Sequence, residues 1–255
     1  MRTPRLILVS SSKGGPGKTT FAKVVGEEHR QQNTGCIIFD ADASVGGLLR
    51  HLGDRDAESQ VLPVQSIDSG VLAIDWHQDV RSRDAIADVL AHGRDVLIDL
   101  PGGSLGGLKT LADETDLFGA VRRTGFDATI VCCVTPYRET WGDVRDVQAW
   151  LPDTDILAVV NEGFGDHEDF SDWRSSKTRA NLLAGRGREI IFPRLEPRVA
   201  ARVAWHRLRF CDAPTSELLA VLDRGRVHQW LRRATASIHE VEDLLGLRPI
   251  KEVPK

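Results

Sequence analysis

Residues 6–20 read LILVSSSKGGPGKTT: a short apolar run, a glycine-rich turn holding two lysines five positions apart, and the start of a helical pattern. A strand that turns through glycines directly into a helix is the frame of a phosphate-binding loop, because backbone N–H groups and the positive end of the helix converge there. Gly14, Gly15 and Gly17 let the backbone approach a ligand where a Cβ would collide. Lys18 places a cation on the β- and γ-phosphates of a nucleotide, and Thr19 offers its hydroxyl to Mg2+. Ser12 stands where the strict GxxxxGK[ST] pattern has its first glycine, and Pro16 removes one N–H from the cradle. Lys13 is the residue that a simple phosphate loop does not require.

The remainder of the chain agrees with this frame. Short apolar, β-branched runs at 6–10, 36–40, 71–75, 96–100, 128–134, 156–160 and 189–192 alternate with segments of helical spacing. That pattern predicts an α/β fold, a doubly wound, mostly parallel sheet with helices on both faces. In residues 19–31, Phe21, Val24 and Val25 fall at i, i+3 and i+4 and predict a helix. A longer helix is predicted over 216–245, with 212–215 supplying turn and cap residues, Gly246 as a stop and Gly225 as a possible break. No internal repeat or linker divides the 255 residues, so one domain is expected over 1–247, followed by a loose tail, 248–255.

Composition removes several function classes. Cys36, Cys132, Cys133 and Cys211 form no CxxC pair, and neighbours in a strand point to opposite faces, which predicts a reduced, cytoplasmic protein. The apolar run near the N-terminus is too short for a signal peptide or a membrane span. The net charge of −4 conceals an asymmetry: residues 171–255 carry 17 basic and 10 acidic side chains, and residues 174–209 carry ten basic against two acidic. A segment so basic can meet a polyanion, or can be a salt-bridged face that balances the acidic first half.

The stretch KGGPGKTT resembles the deviant Walker A motif, KGGxGKT[ST], of the ParA/MinD family of P-loop ATPases. The resemblance implies binding of ATP and Mg2+, with Gly14, Gly15, Pro16, Gly17, Lys18, Thr19 and Thr20 around the phosphates. It also implies an ATP-bound homodimer in which Lys13 reaches the phosphates held by the partner subunit. A cation supplied in trans neutralises charge developing during phosphoryl transfer and makes hydrolysis conditional on dimerisation. FDADASVGGLL, residues 39–49, is similar to the family's switch I, so Asp42 is assigned to the attacking water and Asp40 to support of Mg2+, with the division between the two left open. RDVLIDLPGG, residues 94–103, has the form of a Walker B strand and switch II, with Asp99 on Mg2+. Asn161 and Pro193 stand where the family frames adenine; NEGF lacks the lysine and aspartate of an NKxD run, which favours ATP over GTP.

In this family an ATP-dependent dimer offers a surface only while ATP lasts. For ParA-like members that surface binds DNA nonspecifically, and Arg186, Arg188, Arg198, Arg202, Arg207 and Arg209 are the candidates here, implying nucleoid association in a plasmid or chromosome partition role. The segment 169–195 also resembles plasmid-encoded ParA-like proteins of the StbB/TraL kind. MinD-like members bind membrane through a basic amphipathic C-terminal helix; LLGLRPIKEVPK contains two prolines and little apolar face, so no membrane contact is expected. An ATPase-activating protein partner is implied, though no motif names it. Action on a protein partner without DNA, or a metabolic ATP-dependent synthetase on the same fold, are the alternatives. An iron–sulfur electron-transfer ATPase needs interfacial cysteines, for which Cys132 and Cys133 in a buried strand are poorly placed.

Overall fold

A computed structural model describes residues 2–42, 45–76, 86 and 88–249. Seven strands form one sheet: β1 (Arg5–Ser11), β2 (Ile37–Asp40), β3 (Leu72–Ala73), β4 (Val96–Gly102), β5 (Asp127–Val134), β6 (Asp155–Asn161) and β7 (Gly187–Phe192). Every pairing is parallel, in the order β3-β2-β4-β1-β5-β6-β7. All seven predicted strands are present, because each is an apolar run whose alternate residues are buried on opposite faces. Leu6 and Leu8 pack with residues of one helical layer, Ile7 and Val9 with those of the other. Cys132 and Cys133 divide between the two layers in the same way.

The helices in chain order are α1 (Lys18–Gln31), α2 (Leu49–Leu52), α3 (Ser104–Thr115), α4 (Leu117–Arg123), α5 (Arg138–Trp150), α6 (Ser171–Arg174), α7 (Lys177–Ala184), α8 (Pro197–Trp205) and α9 (Val221–His239). One layer sets α3, α4 and α5 against the sheet through Leu108, Phe118 and Val144. The other sets α1, α8 and α9 against it through Phe21, Val25, Val203, Trp230 and Ile238. Burying each such side chain contributes about 1.5–3 kcal/mol, so the two layers, rather than any local motif, hold the sheet. Because β4 and β5 flank β1, the chain's direction of winding reverses at β1, and the carboxyl end of β1 is where the crevice of such a sheet opens.

The C-terminal helix departs from expectation. It runs from Val221 to His239, not 216–245, and Gly225 does not interrupt it. Val227, Trp230, Ala234 and Ile238 recur at three- and four-residue spacing and are buried, and that packing outweighs the cost of about 1 kcal/mol for one exposed helical glycine. Residues Ala213–Thr215 form a separate 3-10 turn, and Leu219 enters the core before the helix begins, so the predicted cap does not cap it. Arg248 is tied to the end of α1: its N–H donates to Gln32 Oε1 at 2.7 Å. The rest of the expected tail, 250–255, lies outside the described residues.

Candidate nucleotide site

The loop between β1 and α1 is shaped by its glycines. Gly15 (φ +93°) and Gly17 (φ +99°) occupy the left-handed region, and a Cβ on Gly17 would lie 2.0 Å from Asn161 Nδ2. Asn161, at the end of β6, is buried; its amide donates to the Pro16 carbonyl at 2.8 Å, and its Oδ1 accepts from Gly163 N–H at 2.9 Å. Pro16 thus offers no N–H to a phosphate, but its carbonyl fastens the loop to the neighbouring strand. Asp143 on α5, also buried, accepts from Ser12 N–H at 2.9 Å and holds the loop's other side.

The two lysines of the loop behave differently. Lys18 is buried, and its ammonium donates to Ser11 Oγ at 3.0 Å and to the Lys13 carbonyl at 3.4 Å, so it lies folded inside the loop. Lys13 is exposed, and its ammonium makes no hydrogen bond or ion pair among the described residues. The site on one chain therefore holds one cation inward and leaves the other facing out.

Asp99 ends the apolar part of β4 beside the loop. Burial, only partly opposed by a hydrogen bond from Thr19, pushes its carboxyl up to about 7, with Asp40 nearby raising it further. Its Oδ1 has no hydrogen-bond partner among the described residues. An orphaned, desolvated carboxylate oxygen next to a threonine hydroxyl and a second carboxylate is an oxygen donor set that suits a hard divalent cation such as Mg2+. Among the described residues no group of three or more His, Cys, Asp or Glu side chains converges, so such a cation would rely on phosphate and water for its remaining ligands.

Asp40 is buried, and burial raises its carboxyl despite three backbone N–H groups that lower it. Those donors are Asp42 at 3.1 Å, Leu48 at 2.8 Å and Leu49 at 2.8 Å. Its main visible work is to pin the segment that leads into α2. Asp42 is half-buried, bridges to Asp75 through the backbone, and accepts from Val45 N–H at 3.3 Å. Ala43 and Ser44, within the switch I resemblance, lie outside the described residues. The end of β4 is packed directly on the phosphate loop: a Cβ on Gly102 would lie 2.7 Å from Gly14 Cα.

A cavity of about 460 Å³ continues from the loop and is lined by Gly15, Gly17, Thr20, Asn161, Phe164 and Pro193, with the apolar faces of α8 and Trp230 behind them. Trp230 Nε1 donates to the Pro193 carbonyl at 2.9 Å and fixes that wall. The structure thereby brings Asn161 and Pro193 to one cavity with the loop, the place where a base would sit.

The six arginines proposed from sequence do not form one face. Arg186 precedes β7 and pairs with Asp155 at 2.8 Å, and Arg188 pairs with Asp243, both at the amino edges of the strands, opposite the phosphate loop. Arg198, Arg202, Arg207 and Arg209 follow β7 and lie toward the loop side. Arg198 pairs with Glu196 at 3.5 Å, Arg202 with the buried Asp223, and Arg209 with Asp212 at 2.7 Å. Among the described residues Arg207 alone of the six has no ion pair.

Sequence reading missed Asp143, Lys23 and Gly47. Lys23 was detectable as a lone charge inside the apolar face of α1 (FAKVV), whereas Asp143 has no local signal because its partner is 131 residues away.

A phosphate loop at the switch point of a parallel sheet, with a buried aspartate on the adjacent strand, defines the P-loop NTPase fold. No protein-family model and no curated protein sequence matches the chain. Among solved structures, the septum site-determining protein MinD from Pyrococcus horikoshii, complexed with Mg-ADP, matches with a TM-score of 0.51 and 18% identity over 92% of this chain and 98% of that one. The MinC:MinD cell division protein complex of Aquifex aeolicus (TM-score 0.48, 18% identity, 97% and 99% covered) is also found. So is a putative plasmid partition protein from Borrelia burgdorferi bound to AMPPNP (TM-score 0.47, 12% identity, 90% and 98% covered). The fold is thus a P-loop NTPase fold like that of the Pyrococcus horikoshii MinD, as expected from the phosphate loop.

Proposed function

We propose that this chain is a Mg2+-dependent ATPase of the ParA/MinD type, in which ATP drives homodimerisation and hydrolysis reverses it. The observation that carries the proposal is the division of labour between the lysines: Lys18 folded inside the loop, Lys13 exposed at its mouth without a partner among the described residues. An outward cation beside an anion site is wasted on its own subunit and well placed for a second one facing it. Gly14, Gly15, Gly17, Thr19 and Thr20 would cradle the phosphates, and Asn161 and Pro193 would border the adenine. Thr19 and Asp99, with Asp40 behind them, would hold Mg2+, which when bound offsets phosphate charge. Asp42 is assigned to orienting the water.

For the cargo, the reading is DNA partition or positioning, with an activating protein partner. Salt-dependent DNA binding would draw on Arg198, Arg202, Arg207 and Arg209, on the loop side, more than on Arg186 and Arg188. A second reading, action on a protein partner without DNA, is favoured by two observations: most of these arginines are already ion-paired, and Trp205, Leu218, Val221 and Leu222 are exposed at 60% or more on neighbouring segments. No helix among the described residues is long and apolar enough to cross a membrane. The test is ATP turnover together with retention on nonspecific duplex DNA with ATP, ADP or no nucleotide across a salt series. DNA retention only with ATP, weakening steeply with salt, supports partition; turnover with no retention in any state supports the protein-partner reading; no turnover and no ATP binding refutes both.

A further inference from the structure

Beside the segment that Asp40 pins lies a second cavity, of about 540 Å³, which adjoins the one that borders the adenine position and shares Lys23, His51, Ala204 and Leu208 with it. Its wall carries Lys23, Arg50, Arg55 and Arg207 and no carboxylate. Arg55 is committed to carbonyls, donating to Ser59 O at 2.7 Å and to Arg50 O. Lys23, Arg50 and Arg207 make no ion pair among the described residues, whereas Arg186, Arg188, Arg198, Arg202 and Arg209 do. Arg207 is held at φ +54°, a conformation unfavourable for a side-chain-bearing residue. Burial, reinforced by the Arg50 guanidinium and opposed by Asp99, Asp40 and Glu27, holds the Lys23 ammonium below its ordinary value. Lys23, Arg50 and Arg207 line one recess in which Arg50 repels Lys23, and a bound dianion relieves that repulsion while accepting charge-assisted hydrogen bonds.

We propose that this recess binds a phosphate group, either free or carried by a small phosphomonoester, and that its occupancy is transmitted to the nucleotide site. Duplex DNA, which presents its phosphates on a convex surface, reaches the exposed Arg50 and Arg207 more readily than the half-buried Lys23. A lone carboxylate would leave most of the volume and charge unused. The route of transmission is short. Lys23 follows Thr19 by one helical turn, about 6 Å along α1. Gly47 lines the recess and is packed so closely on Thr19 that a Cβ there would lie 2.8 Å from Thr19 Cγ2. Arg50 sits on α2, whose first residues are pinned by Asp40. A ligand drawing Arg50 and Lys23 together therefore bears on the segment covering Thr19. The transmission, unlike the binding, rests on the nucleotide reading given above.

The experiment is equilibrium dialysis of labelled inorganic phosphate against the full chain saturated with Mg-AMPPNP, which fills the γ-phosphate position and leaves only other sites open. One phosphate per chain is expected. Arg50→Ala and Arg207→Gly, the latter suited to the positive φ, each weaken it about tenfold, the loss of one charge-assisted contact. Mg-AMPPNP affinity without phosphate stays within about twofold. No phosphate uptake, or uptake unchanged in both variants, overturns the site. Competition with ribose 5-phosphate separates the sources: displacement at equal concentration identifies a phosphomonoester ligand, and its failure identifies free phosphate. If Mg-AMPPNP itself does not bind, the nucleotide reading fails, and phosphate dialysis with Lys18→Ala still decides the recess: uptake sensitive to Arg50→Ala supports it, absence refutes it. Transmission is read as a change in Mg-AMPPNP affinity on adding phosphate, present in the parent chain and lost in Arg50→Ala; equal affinities with and without phosphate refute it.

Discussion

Replacing Asp99 by Asn removes a charge that folding takes out of water. Its carboxyl lies at about 7 in the folded chain against an ordinary 3.8, chiefly through burial. Above pH 7 it is ionised in both the folded and unfolded chain, and the difference represents about 4 kcal/mol of destabilisation in the nucleotide-free protein. As pH falls the folded chain takes up a proton first, so the penalty shrinks below pH 7 and is gone below the unfolded value. At pH 5 it is about 1.7 kcal/mol. Asp99→Asn should therefore stabilise the nucleotide-free chain by about 2–4 kcal/mol at pH 8, after allowing for the lost Thr19 contact, and by about 2–3 kcal/mol less at pH 5. Urea unfolding followed by the fluorescence of the six tryptophans measures both. Adding Mg-ATP should raise the stability of the parent chain and not that of the variant. A gain that is the same at both pH values, or a loss at pH 8, would refute the claim that Asp99 is a desolvated, uncompensated carboxylate.

Three further outcomes follow from local geometry. His29, fully buried with its imidazole pushed down to about 3 by burial, stays neutral in the folded chain while the unfolded chain protonates near 6.5. Relative to the parent, His29→Gln should gain about 2 kcal/mol of stability between pH 7 and pH 5, read as the difference between the two proteins in urea unfolding at each pH. Gly102→Ala puts a Cβ against the Gly14 backbone and should cost about 1–3 kcal/mol together with nucleotide affinity, by unfolding and ligand titration. Gly106→Ala, on α3 with open space at its Cβ, should be neutral or stabilise by up to about 1 kcal/mol in the same assay.

The sheet was legible because each strand is a run of apolar residues buried on both sides, a signal carried by the strand alone. The phosphate loop was legible because its glycines and lysines are contiguous. Features built across the chain were not. Arg188 finds Asp243 55 residues away and Arg202 finds Asp223 21 away, so a segment that reads as strongly basic is in part neutralised by partners that sequence spacing does not announce. The same holds for Asp143 on Ser12 and for the Gly47 approach to Thr19. The overlong C-terminal helix arose because helical spacing continues through residues that the core pulls out of line at Leu219.

The central claim is that Lys13 completes the site of a facing subunit. It is tested most directly by ATP turnover per chain measured over a range of chain concentrations, for the parent and for Lys13→Ala. Turnover per chain should rise with concentration in the parent and be lost in Lys13→Ala, while that variant still binds Mg-ATP. Turnover per chain that is independent of concentration and persists in Lys13→Ala would contradict it.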